Sequence, residues 1–251
     1  MKKGLIYLNF ITGVLTLWLV VDHVAGFSPH DYFYIQNPTL TLYSGVNVVS
    51  RWADFAFFTY HTLLFYAVWA IGLFVAYAFK NQKLASFFTH QTIVTFVLSN
   101  YVLTAIVYTL FELASGNPTF GLFDLSNKAL HSFGTNILAH YLFFIVALIS
   151  GLKVKTHGEI KSKHIVAIFV YLVIYCIAVK ITGMFCYQIE WYPYPIFHGD
   201  LLLGMLGITN YDSGIKIACL FITFVFLAVA YFIIFFVLSK IKKHIKYIYT
   251  L

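Results

Sequence analysis

The chain has little charge for its length. Of 251 residues, 16 are Lys or Arg and 9 are Asp or Glu, which is 10% of the sequence. A soluble domain carries about 25% charged residues to solvate its surface, so this composition argues against one. Cysteine is scarce too, and Cys176, Cys186 and Cys219 show neither CxxC nor His-paired spacing. Two of them fall inside apolar segments, where cysteine behaves as a small hydrophobe. We expect no disulfide from them. No Gly-x-Ser-x-Gly elbow occurs, which excludes an α/β-hydrolase. The apolar runs hold no His-x-x-x-His pair and no carboxylate-rich cluster, so neither a metal nor a cofactor is expected. Repeats and low-complexity stretches are also missing, and residues 1–251 read as one domain.

What the chain has is grease: 61% of residues are hydrophobic and 20% aromatic. The charges cluster, and between them run uncharged stretches long enough to cross a bilayer, which takes about 20 residues. We read an all-α membrane bundle of six transmembrane helices at about 4–25, 54–79, 86–111, 130–151, 164–186 and 214–239. The first run follows Met1-Lys2-Lys3 like a signal peptide. It is longer than an h-region, however, and lacks a small-x-small cleavage site, so it reads as a retained span.

The basic residues orient the bundle. Lys2 and Lys3, the turn "KNQK" at 80–83, the loop "KVKTHGEIKSKH" at 153–164 and the tail from Lys240 hold twelve of the sixteen. The alternate loops hold only Arg51, Lys128 and Lys216, and Lys180 lies inside span five. The positive-inside rule then places both termini in the cytoplasm. The positive net charge belongs to helix ends rather than to a nucleic-acid surface. The tail "KIKKHIKYIY" reads as a basic cluster against anionic lipid headgroups. The expected location is a multi-pass position in a membrane, which in a bacterium would be the cytoplasmic membrane.

Polar residues inside the spans concentrate in the outer halves. Asp22 and His23 lie on span one, Thr59 and His61 on span two, and Asn100, Thr104 and Glu112 on span three. Asn136 and His140 lie on span four and Lys180 on span five. Ionisable groups in hydrocarbon cost roughly 2.5–3.5 kcal/mol each on insertion scales, so they face the bundle interior, where they pair or line a cavity. Grouped at similar depth, they predict an outward-facing pocket. Alone, each is accounted for by an interhelical hydrogen bond. Asn136 and His140 are four residues apart and share a face, as do Asn100 and Thr104. Thr59 and His61 are two apart, about 200° around the helix, so a base for Thr59 has to come from another span. His140 is the candidate. A hydroxyl and an imidazole in a lipid-filled pocket are the minimum for nucleophilic acyl transfer.

At these residues the sequence resembles the androgen-induced-gene (AIG/ADTRP) family of six-span membrane lipid hydrolases and their bacterial relatives. The likeness rests on "SRWADFAFFTYHTLLFY" (50–66), "TNILAHYLFFIVAL" (135–148) and "ITGMFCYQIEWYPYPIF" (181–197). The resemblance implies hydrolysis of fatty acid esters of hydroxy fatty acids, with Thr59 as nucleophile and His140 as general base. The chain departs from the family pattern in lacking the proline that often follows the histidine and in doubling the Tyr-Pro block at 192–195. Asn136 would orient the imidazole. Asn100, Thr104, Lys180 and Tyr194 are the candidate substrate-binding residues, and the expected partners are a lipid or fatty acyl ester and membrane lipid. The alternative is a lipid or small-molecule binding, transport or sensor protein that uses the same pocket without chemistry.

Overall fold

The computed structural model describes residues 2–25, 58–114, 141–185, 203–204, 207–208, 210 and 212–244. Among them are seven named helices: α1 (Lys2–Ala25), α2 (Phe58–Ala78), α3 (Gln82–Phe88), α4 (Gln91–Ala114), α5 (Phe143–Lys153), α6 (Ser162–Phe185) and α7 (Ser213–His244). Five of the seven, α1, α2, α4, α6 and α7, are long and apolar enough to cross a membrane. In hydrocarbon a backbone must satisfy its own N–H and C=O groups, and a helix does so within one segment. Four expected spans match these helices within a few residues at each end. The expected span at 130–151 is represented by the short apolar helix α5, and residues 115–140 lie outside the described ones.

The expected span at 86–111 breaks near its start. α2 leaves through Lys80, whose φ of 51° is left-handed, and Asn81 then caps α3 by accepting from the Leu84 amide at 3.0 Å. The chain bends again at Thr89 and His90 before α4 begins. Two non-local contacts hold that bend. The Trp69 indole donates to the Phe88 carbonyl at 2.9 Å, and the ring of Phe88 lies where a Cβ on Gly72 would stand. The backbones of Thr89 and Gln91 pair with that of His157, at 3.2 and 2.9 Å. Propensity alone would carry the helix straight through.

α2 and α4 are central: half of each span is buried, against 17% of α7. One core cluster joins α1, α2, α4 and α5 through residues such as Tyr66, Trp69, Leu98, Tyr101, Phe143 and Ala147. A second joins α2, α4, α6 and α7 through Phe58, Leu103, Leu172, Tyr175, Tyr231 and Phe235. Small residues let helices approach, as expected where lipid gives no hydrophobic drive for helix association. A Cβ on Gly13 would stand 2.7 Å from that of Ala70, and one on Gly151 would run into Leu98.

The contacts gather the basic segments at one end of the bundle. Tyr7 and Phe10 pack on Phe74, which brings the start of α1 to the end of α2. Gln91 donates to Ser239 at 2.9 Å, joining the start of α4 to the last turns of α7. The expectation that the tail from Lys240 lies against headgroups fails at one residue. Lys240 and Lys243 are exposed, but Lys242 is buried, with its ammonium donating to the carbonyls of Gly151 and of Val154, the latter at 2.7 Å. The last carbonyls of a helix have no intrahelical partner and carry partial negative charge, so α5 draws this cation inward.

Candidate functional site

Thr59 is the second residue of α2 and is half-buried. Three residues on, and therefore on the same face, Thr62 is buried, and its hydroxyl lies 2.9 Å from that of Thr104 on α4. One turn further along α4, Asn100 is fully buried. Its amide nitrogen donates to the Phe96 carbonyl at 2.8 Å and to the Tyr231 hydroxyl of α7 at 3.3 Å. The Thr62–Thr104 and Asn100–Tyr231 hydrogen bonds thus lie one turn apart along α4 and make a polar seam, with Thr59 on the Thr62 face of α2. Asn100 and Thr104 share the seam, as their spacing predicts.

The seam is incompletely satisfied. Among the described residues the Asn100 Oδ1 has no hydrogen-bond partner; the Thr95 hydroxyl, also without one, lies five residues away and about 140° around α4, off the face of the seam. A buried acceptor left without a donor costs about 1–3 kcal/mol. In a low-dielectric interior it is a strong attractor for any donor that reaches it.

His61 faces elsewhere, consistent with its angular offset from Thr59. Its Nδ1 lies 3.2 Å from the Tyr171 hydroxyl of α6, and its ring sits edge-on to Tyr175 at 5.2 Å. Lys180 lies in the last third of α6 and is half-buried. Asn136, His140 and Tyr194 lie outside the described residues, as do the side chains of Asp22, His23 and Glu112. Of the expected site, Asn100 and Thr104 stand one turn apart on α4, and Thr59 stands three residues before Thr62, the partner of Thr104.

An apolar groove of about 430 Å³ opens between α1 and α5, lined by Ile11, Leu15, Trp18, Leu142, Phe143 and their neighbours. None of Thr59, Asn100, Thr104 or Lys180 lines it. Its wall on the α5 side begins at Leu142, two residues after His140 in the chain.

Hydroxyl–imidazole pairs occur at the basic end, where the sequence reading placed only charged turns. Thr92 Oγ1 lies 2.9 Å from His164 Nδ1, and Ser86 Oγ lies 3.1 Å from His157 Nε2. Neither is arranged as a nucleophile with a free base. His164 Nδ1 already receives the Lys161 amide at 3.2 Å. His157 Nε2 lies 2.5 Å from the Ser86 carbonyl, which only accepts, so that nitrogen carries the proton and cannot take another from serine. The described residues contain no group of three His, Cys, Asp or Glu arranged to hold a metal ion.

Sequence reasoning missed Thr62, Tyr231 and Lys242. Thr62 was legible, because it stands on the Thr59 face one turn away. Tyr231 and Lys242 carry no local signal, since both gain their roles from helices more than eighty residues distant. No family model, no curated protein and no solved structure matches the chain.

Proposed function

We propose that the chain is an intramembrane hydrolase of lipid esters, with Thr59 as nucleophile, His140 as general base and Asn136 orienting the imidazole. The observation that carries this reading is the polar seam between α2 and α4, where Thr62 meets Thr104, with Thr59 on the Thr62 face of α2 by its spacing. The resemblance of the blocks at 50–66, 135–148 and 181–197 supports it. In the reaction, the imidazole takes the threonine proton as Oγ bonds to the ester carbonyl carbon. The tetrahedral intermediate breaks the carbon–oxygen bond, and the leaving alkoxide takes the proton from the imidazolium. Water, deprotonated by the same base, then cleaves the acyl-threonine. The α1–α5 groove has the apolar lining an acyl chain requires, and Lys180 would pair with a free carboxylate on the substrate. The proposal includes six spans with both termini and the basic end in the cytoplasm.

A second reading follows from the open acceptor of Asn100. A site that offers a buried carbonyl to a lipid hydroxyl can bind or carry a lipid without reacting with it. Purified full-length protein given a fatty acid ester of a hydroxy fatty acid separates the two. Thr59→Ala and His140→Ala should each lower turnover by about 10²–10⁴-fold, and the double variant should lose little more, because base and nucleophile act as a unit. Asn136→Ala should be milder, roughly 10- to 100-fold. A fluorophosphonate should label Thr59 by peptide mass spectrometry. Wild-type turnover in Thr59→Ala sinks the hydrolase reading. Tight binding without turnover in both proteins favours the carrier.

A further inference from the structure

The corner between α2 and α3 departs from the usual chemistry of a helix end. The Asn81 amide reaches back to the Ala76 carbonyl at 2.9 Å and the Lys80 amide to the Tyr77 carbonyl at 3.3 Å, which is the Schellman pattern. The residue after the helix is then left-handed, a place that glycine fills without steric cost. Here it is Lys80, at φ 51°, and among the described residues no other non-glycine residue has a positive φ. A lysine near a helix C-terminus gains from the dipole. For an exposed side chain that gain is smaller than the cost of the left-handed backbone. Strain kept together with a long cationic side chain points to a use for that side chain.

Exposed aromatic rings flank this lysine. Phe79 is 78% exposed and Phe87 is 58% exposed. Within α3, Leu84 and Phe88 are four residues apart and pack inward, Phe88 against Gly72. Lys83 and Phe87 are likewise four apart and make an exposed row beside the inner one. Depth follows from length. α2 has 21 residues, about 31 Å of helix, and a hydrocarbon core is about 30 Å thick. With α2 and α4 as crossings, the first is complete at Ala78 and the second starts at Gln91, so residues 79–90 lie at one boundary of the bilayer. Residues 55–111 contain no Asp or Glu, so Lys80 and Lys83 meet no carboxylate of their own hairpin. The segment docked beside them through the His157 backbone adds exposed Lys155, Lys161 and Lys163 against one carboxylate, Glu159.

We propose that the α2–α3 corner is an interfacial anchor for anionic phospholipid, with Phe79 and Phe87 in the acyl boundary and Lys80 and Lys83 on headgroup phosphates. Apolar rings beside lysines are what a segment in the interface plane presents to a bilayer. Phosphatidylcholine balances its phosphate with its own choline. Phosphatidylglycerol leaves that charge open, so surface lysines favour it. The corner is distinct from the basic tail, where Lys242 turns inward onto α5. The anchor requires α2 and α4 to cross a bilayer and is independent of the ester chemistry proposed above.

Full-length protein carrying Phe87→Trp, in phosphatidylcholine vesicles with chain-brominated lipid, tests the anchor. Its emission less that of the parent protein reads position 87. Brominated lipid should quench this emission, and iodide on both sides of the membrane should not. At equal mole fraction, brominated phosphatidylglycerol should quench more than brominated phosphatidylcholine. Lys80→Gly and Lys83→Gln should each lower the relative association constant of the anionic lipid by up to about fivefold. Lys80→Gly should also keep or raise Tm in pure phosphatidylcholine, because it removes backbone strain and no packing. A fall in that Tm makes Lys80 structural and overturns its role. Phe79→Trp is the second reporter if Phe87→Trp does not fold. Quenching by iodide at these positions puts the corner in water, open to a soluble acidic partner, and overturns the anchor. Equal quenching by the two brominated lipids overturns the headgroup assignment, as does a preference that survives both lysine replacements.

Discussion

Lys242 tests whether the buried cation at the end of α5 is a structural cap. Lys242→Met keeps an unbranched side chain of similar length and removes the charge and the donors. The Gly151 carbonyl is then left with neither the ammonium nor an intrahelical partner, and Val154, fully buried, loses a bond of 2.7 Å. Each orphaned carbonyl costs about 1–3 kcal/mol, and loss of the cation from the helix terminus adds about 0.3–1 kcal/mol. Against this, methionine no longer has to hold an ammonium out of water, a relief of several kcal/mol at most. Local relaxation will recover part of the carbonyl cost as well. We expect the orphaned carbonyls to win, with a net loss of about 2 kcal/mol. For a chain of this size that is a fall in Tm of about 4–8 °C. The assay is thermal unfolding in detergent followed by intrinsic tryptophan fluorescence. Lys243→Met, at an exposed neighbouring position, is the control and should stay within about 0.5 kcal/mol of wild type. If Lys242→Met is as stable as the wild type, or Lys243→Met falls equally, the capping argument is wrong.

Two further outcomes follow from the geometry. Thr62→Val and Thr104→Val each strand a buried hydroxyl at the other position, so a double-mutant cycle should show a coupling of about 0.6–1.7 kcal/mol, and strict additivity would refute the hydrogen bond. Single cysteines at Ser162 and Asp212 in a cysteine-free background should react with an impermeant maleimide from opposite sides of the membrane. Reaction of both in intact cells would overturn the proposed orientation and the outward-facing pocket with it.

The five long apolar helices were legible because a helix that rises 1.5 Å per residue must stay apolar for about 20 residues to cross hydrocarbon, and the chain carries most of its charge between such runs, with Lys180 inside one of them. Spacing also determined which residues share a face: Asn100 with Thr104, and Thr59 apart from His61. That information is local, and it ends at the surface of one helix. Helices apolar all round carry no amphipathic stripe to say which neighbour each face will meet. Only packing could decide that Thr104 meets Thr62 and that Asn100 meets Tyr231. The break at Thr89 and His90 was hidden for the same reason, since it is held by Trp69 on one side and the His157 backbone on the other. Lys242 makes the point most sharply. In sequence it is one lysine of a basic tail, and the open carbonyls of a helix some ninety residues earlier turn it into a buried cap.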